Sequence, residues 1–371
     1  MKIKRFILLF ATLACIMIIA LAGCGGTSDT PPQVTPDDPA PVDTVPDETE
    51  APDDNVPDET ELTPGDAETG LRDDFIIGWQ PNTLTPPWRE RMMAAELRLA
   101  QVNEELGTNG TFLVKTTELH GNIIEQSVLF DDFIASGADI IIGIAADPES
   151  YAGLAARATE AGIPVGVMVE TADIPNVRFR VTQDEEEAGE MLGQRVAADL
   201  DGEGNVVLLR GQMEHSVDIG RTTGILRAFE NYPGITIIAE QEAGWAHEPA
   251  ARIMDDLIIA HGDDINAVVA LNDNMALGSI ASARAAGRSF LTYGMDGTVE
   301  GIQAILAGDL VASMDSDFTI FGKYLIDSAI DYLQHGTTRM DWLIPNGVID
   351  STNAQEAMER YERTVAGEIT W

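Results

Sequence analysis

Cysteine is nearly absent from this chain. Of 371 residues only Cys15 and Cys24 are cysteines, and both precede the main body. A disulfide framework and a cysteine metal cluster are therefore excluded from the rest of the sequence. Positive charge is scarce too: 22 Lys and Arg stand against 62 Asp and Glu, a formal net charge of −40. A surface this acidic repels nucleic acid, so no nucleic-acid partner is expected. The common catalytic signatures are missing: there is no GxxxxGK[ST], no HExxH and no GxSxG. "GEGNVV" (202–207) lacks the third glycine of a dinucleotide fingerprint and reads as a turn before a strand. His120, His215, His247, His261 and His335 are scattered, with no pair at ligand spacing. The acidic run "DEEEAGE" (184–190) reads as the first turn of a helix, where carboxylates favour the dipole. The sequence predicts no metal site, no cofactor and no catalytic residues. What is present is length, and an ordinary 44% of hydrophobic residues, enough for two domains with a real core.

The N-terminus is the one long apolar run. "MKIKRFILLFATLACIMIIALAGCGG" sets Lys2, Lys4 and Arg5 before a hydrophobic stretch that ends in small residues, the layout of an export signal. An uncleaved membrane anchor is the competing reading, because the apolar run nears bilayer-spanning length. Its ending, "LAGC" (21–24), resembles the lipobox of bacterial lipoproteins. That resemblance implies a signal peptide over 1–23 and a lipidated Cys24, anchored by more than one acyl chain as stable attachment requires. Residues 24–73 then read as a tether. They are rich in Pro, Asp, Glu and Thr, nearly free of aromatics, and repeat "VPDETE" at 45–50 and 56–61. Such a segment buries too little apolar surface to fold; as a loose coil it reaches roughly 40 Å. An adhesive stalk is the weaker alternative.

From Asp74 onward short β-rich runs alternate with helical stretches. "FIIGWQ", "FLVKTT", "DIIIGIA", "PVGVMV" and "VRFRVT" are followed by "NVVLLRG", "ITIIAEQ", "INAVVAL", "FLTYGMD" and "LVASMDS". About ten strands separated by helices predict an α/β architecture of two doubly wound parallel-sheet lobes. Polar or aromatic residues recur just after these strands: Asn82, Trp88 and Arg89; Glu170; Arg221; Trp245; Asn272; Asp296. In open α/β sheets ligands bind at the carboxyl ends of the strands. Each residue has a plain structural explanation by itself; Asn272–Asp273–Asn274, for instance, needs only one member as a helix cap. As a set they share one edge of the two sheets.

Residues 74 to about 355 resemble the type I periplasmic binding proteins of the ribose and galactose group, the substrate-binding proteins of ABC importers. The motifs that carry the resemblance are "LTPPWRERMMAAE", "GADIIIGIAADPE", "AGIPVGVMV", "RTTGILRAF", "AVVALNDNMALGSI" and "YGMDGTVEGIQAILAGDLVASM", in order and at family spacing. The resemblance implies two lobes joined by three crossovers, near Asp184, near Ser316 and near 349–352, with a ligand cleft between them. Lobe one is expected to take 74–183 plus 317–348, and lobe two 184–316 plus 349–371. It also implies ligand contacts from Asn272 and Asp296, with Asp273 capping or orienting the helix behind, and a sugar ring held between Trp88 and Trp245. The chain departs from the family at three places. Val169 and Glu170 stand where an acidic or amide residue and an arginine are usual, Ser316 stands for an amide, and Pro86 for an asparagine. The pocket is thus expected to have lost a cation and gained carboxylates, with Arg89 and Arg221 left to balance them, which points to a modified rather than an ordinary sugar.

The expected function is a lipid-anchored extracytoplasmic receptor, acting as a monomer, that binds a sugar-like small molecule and hands it to an ABC permease in the membrane. A receptor that signals to a membrane histidine kinase or chemoreceptor is the alternative. A secreted hydrolase is the third class, disfavoured by the missing motifs.

Overall fold

The computed structural model describes residues 70–81, 84–118 and 121–369. The signal peptide, Cys24, nearly all of the expected tether, and Asn82 lie outside the described residues.

Among the described residues, twelve strands form two six-stranded sheets. The first contains β1 (Ile76–Gln80), β2 (Thr111–Val114), β3 (Ile140–Ile144), β4 (Val165–Met168), β5 (Val177–Gln183) and β11 (Asp341–Ile344), in the order β11-β5-β4-β3-β1-β2. The second contains β6 (Glu203–Arg210), β7 (Gly234–Glu242), β8 (Ala267–Ala270), β9 (Leu291–Asp296), β10 (Ala312–Asp315) and β12 (Gly347–Asp350), in the order β12-β10-β9-β8-β6-β7. Every pairing is parallel except β10 with β12. Helices connect successive strands except β4 to β5 and β11 to β12: α1 (Pro86–Leu106), α2 (Ile123–Ala135), α3 (Pro148–Glu160), α4 (Glu185–Asp199), α5 (Ser216–Phe229), α6 (His247–His261), α7 (Asp273–Ala286), α8 (Val299–Ala307) and α9 (Phe318–His335); α10 (Ala354–Val365) follows β12. The central strands are uninterrupted apolar runs, "IIIGI" in β3 and "AVVA" in β8, because helices cover both their faces. At the edge, β7 has only exposed and half-buried residues instead.

One apolar cluster fills the second lobe, and two flank the sheet of the first. The chain passes between the sheets three times: from β5 into α4, from β10 into α9, and from β11 to β12. The last passage lies at Pro345–Asn346, earlier than the expected 349–352. Gly347–Asp350 already pairs with β10, so residues 347 and 348 belong to the second sheet. These two short strands were absent from the sequence expectation of about ten, since four residues at a sheet edge carry little periodic signal. Helix α10 bridges the lobes. Ala354 and Ala357 join the second core, while Thr364 Oγ1 lies 3.1 Å from Thr319 Oγ1 on α9.

In both sheets the strand order reverses beside the first strand, between β1 and β3 and between β6 and β8. Such a topological switch opens a crevice at the strands' carboxyl ends. In the first lobe that crevice is floored by a buried amide pair. Gln126 donates to Gln80 Oε1 and, at 2.6 Å, to the Ile144 carbonyl, tying the end of β1 to the end of β3.

Candidate functional site

A cavity of about 250 Å³ lies between the lobes, lined from both. Trp88, Arg221, Trp245, Asn272, Asp296 and Ser316 all reach it. Three lining residues other than glycine have positive φ: Val169 (49°), Trp245 (63°) and Asp296 (107°). Only two other such residues occur among those described, Asn176 and Asp201. Side chains at these angles carry backbone strain, which is retained where the surrounding structure fixes the geometry for a purpose.

Arg221 is the centre of the second lobe's wall. Its Nε donates to Glu185 Oε2 at 2.7 Å, and its Nη1 donates to the Leu271 carbonyl at 2.5 Å and to Asp296 Oδ1 at 3.1 Å. The paired carboxylates hold the guanidinium charged against the cost of burial, well above its ordinary pKa. Glycines make this arrangement possible. A Cβ on Gly189 would meet the Arg221 carbonyl at 2.1 Å, and one on Gly224 would meet the Glu186 carbonyl at 2.0 Å. Helices α4 and α5 therefore touch backbone to backbone, bringing Glu185 against Arg221. The acidic run at 184–190 thus divides. Glu185 is buried and faces the site, whereas Glu186 pairs with Arg227 at the surface.

The polar triplet at 272–274 also divides, and differently from expectation. Asn272 is the N-cap of α7: its Oδ1 accepts from Met275 N at 2.8 Å, and its Nδ2 donates to the Trp245 carbonyl at 3.1 Å. Asn274 donates to the same carbonyl at 3.2 Å. Both amides thereby fix the left-handed backbone at Trp245, whose ring packs against Gly211, where a Cβ would clash at 2.1 Å. Asp273 is fully buried and does not cap the helix. It accepts from Thr298 N, Thr298 Oγ1 and Ser313 Oγ, locking the turn after β9 that presents Asp296. Burial pushes its carboxyl up to about 7. His215 caps α5 through Nδ1, which accepts from Val217 N at 3.3 Å; burial lowers its pKa and favours the neutral ring.

Of the sequence-predicted residues that are described, two, Arg89 and Glu170, do not line the cavity. Asn82 lies outside the described residues. Arg89 is exposed on α1. The basic residue that enters is Arg91, because two positions turn a helix by roughly 200°. It stands at i+3 from Trp88 and shares that face, a spacing present in the sequence that does not by itself say which face meets the cleft. Glu170 is buried but turned away, its Oε1 accepting from Thr171 N and Ala172 N at 2.8 Å each. Ser316 lines the cavity, yet its hydroxyl donates to Gln183 Oε1 at 2.9 Å, and Gln183 also reaches Asn346 Oδ1 at 2.5 Å. Each of these residues sits at one of the three passages between the lobes, so Ser316 belongs to a hinge network. The aspartates flanking it are both paired with Arg360.

The expected excess of carboxylates is not seen among the lining residues, and Arg91 stands there in place of Arg89. The carboxylates among the lining residues are Glu185 and Asp296, both held by Arg221, while Arg91 adds a second guanidinium. Arg91, Gln183, Glu185, His215 and Asn274 are lining residues that sequence reasoning missed.

The chain belongs to the type I periplasmic binding proteins: residues 77–338 match the periplasmic binding protein domain. It is 31% identical over 202 residues to a xylitol-binding protein of Mycolicibacterium smegmatis, covering 54% of this chain and 58% of that protein, so it spans a little over half of that relative's length. It is 30% identical over 244 residues to a putative rhizopine-binding protein of Rhizobium meliloti, covering 63% of this chain and 79% of that protein. The fold matches an ABC transporter periplasmic solute binding protein from Actinobacillus succinogenes, solved with bound D-allose, at a TM-score of 0.71 and 23% identity, over 76% of this chain and 99% of that one.

Proposed function

We propose that this protein is an extracytoplasmic receptor that binds a sugar-like solute between its lobes and delivers it to an ABC importer, performing no chemistry itself. The observation that carries the reading is the pairing of Arg221 with Asp296 at 3.1 Å, in a cavity also walled by Trp88 and Trp245. Carboxylate and guanidinium can each bond adjacent hydroxyls, at roughly 1.5–3 kcal/mol per charged hydrogen bond. Indole faces cover the C–H surfaces of a ring at little entropic cost. A cavity of about 250 Å³ suits one such ring rather than an oligosaccharide. The xylitol- and rhizopine-binding relatives support a polyhydroxylated ligand. The site residues we assign are Trp88, Arg221, Trp245, Asn272 and Asp296.

We assign the N-terminus to secretion and lipidation at Cys24, with the acidic segment up to residue 73 as tether. The test is a thermal-shift screen of monosaccharides, polyols and their derivatives, followed by calorimetric titration, since a ligand that binds only the folded state raises its melting temperature. Binding that survives both Asp296→Ala and Trp245→Ala would overturn the cleft assignment.

A further inference from the structure

We infer that the ligand of this cleft carries a carboxylate and that Arg91 receives it: the solute is a sugar acid rather than a neutral sugar. The inference rests on the cleft being the site of a sugar-like solute.

Arg91 is 5% exposed and lines the cavity. Among the described residues no carboxylate lies within ion-pair distance of it, and its buried Nε has no hydrogen-bond partner. Its Cζ lies 4.9 Å from the Trp88 ring centroid and 4.8 Å from that of Phe321. Aromatic faces attract a cation and hold its plane, but they supply no acceptor for its N–H groups. A charge taken out of water without a counter-ion is costly, and desolvation accordingly lowers the pKa of Arg91.

The neighbouring acids are engaged elsewhere. Asp296 is on Arg221, and so is Glu185 through Oε2. Glu90, next in sequence, accepts from Val299 N at 3.3 Å across the lobes. Burial pushes its carboxyl up to about 7, so at neutral pH it carries only part of a charge. The lining thus holds one guanidinium paired with two carboxylates, Arg221, and one with no carboxylate in ion-pair reach, Arg91. The two rings meet each other edge to face, centroids 6.0 Å apart at 80°, so Arg91 caps the pair, and its free N–H edge is a fork whose geometry matches a carboxylate in a bidentate pair. The remaining orphan, Glu185 Oε1, is a buried acceptor with no donor. It calls for a hydroxyl, which a sugar acid also has.

The experiment is calorimetric titration of the full-length chain with matched pairs: D-galacturonate against D-galactose, D-glucuronate against D-glucose, and D-gluconate against D-glucitol. The expected result is that the acid of at least one pair binds ten-fold or more tightly than its neutral parent. In Arg91→Leu that preference should vanish, whereas Arg91→Lys, which keeps the charge, should retain part of it; apo melting of both variants checks that they fold. A neutral sugar binding as tightly as its acid overturns the carboxylate assignment and leaves the sugar receptor standing. An acid preference that persists in a folded Arg91→Leu overturns the role of Arg91. Failure of both members of all three pairs counts against the sugar-acid ligand and the receptor reading together.

Discussion

Ser316 Oγ donates to Gln183 Oε1 at 2.9 Å, joining the second passage between the lobes to the first. Gln183 continues the tie to Asn346 in the third passage, and Asn346 Nδ2 returns to the Asp184 carbonyl at 2.9 Å. A residue expected to touch ligand is therefore part of the hinge. Ser316→Ala should cost about 1 kcal/mol of stability, Gln183→Ala more because its bond to Asn346 is lost too, and the double mutant about as much as Gln183→Ala alone. Denaturant melts of the two singles and the double measure this coupling; simple additivity would show that the two side chains act independently.

Asp296→Ala removes a charged acceptor and should weaken ligand binding by about 2–3 kcal/mol, or roughly 30- to 150-fold. Trp245→Ala should cost a comparable amount through lost stacking. Calorimetry with the solute found by the screen gives both numbers, and melting of each ligand-free mutant separates lost binding from lost fold.

Gly189→Ala tests how α4 and α5 place Arg221. The new methyl group meets the Arg221 carbonyl at 2.1 Å, which is backbone and cannot step aside as a side chain would. We expect about 1–3 kcal/mol of destabilisation and a fall in affinity as Glu185 and Arg221 separate. Unchanged binding would mean that the pairing of these helices does not govern the site.

Stability should depend on pH through Glu90 and Asp273. Burial raises the Glu90 carboxyl from 4.5 to about 7. The folded chain therefore keeps a proton that the unfolded chain has lost, and stability declines as pH rises through this interval. The high negative charge of the whole chain acts in the same direction, so the informative quantity is the difference between proteins. Glu90→Gln, which mimics the protonated form, should flatten the decline in melting temperature between about pH 5 and pH 7.5. It should leave the share due to Asp273 in place. Identical pH profiles for the two proteins would refute the assignment.

At the N-terminus, Cys24→Ala should abolish lipid labelling and leave unprocessed precursor or released protein. A chain beginning near Leu71 should bind ligand as well as the mature form. Both are read by labelling and titration, and a large loss of affinity on truncation would place the acidic segment in the site.

The alternation of apolar runs with helical stretches was sufficient to predict two parallel-sheet lobes, because strands covered on both faces have to be apolar throughout. The same logic placed Trp88, Trp245 and Asp296 just beyond strand ends, whereas Arg221 lies within α5. It could not rank neighbours along one turn of helix. Whether Arg89 or Arg91 enters the cleft, and whether Asn272 or Asp273 caps α7, depends on helix rotation against the sheet. Packing of Trp88 on Trp79 and Phe321, and the bonds Asp273 makes to Thr298 and Ser313, fix that rotation.

The sequence by itself thus determined the layers, the family and the edge at which the site is built, all consequences of hydrophobic period and local motif. Tertiary structure alone decided the charge of the cleft. Glu170 turned to the adjacent backbone amides, Asp315 and Asp317 went to Arg360, and Arg91 packed beside Trp88 and Phe321, because a buried charge is set by the partners that reach it in space.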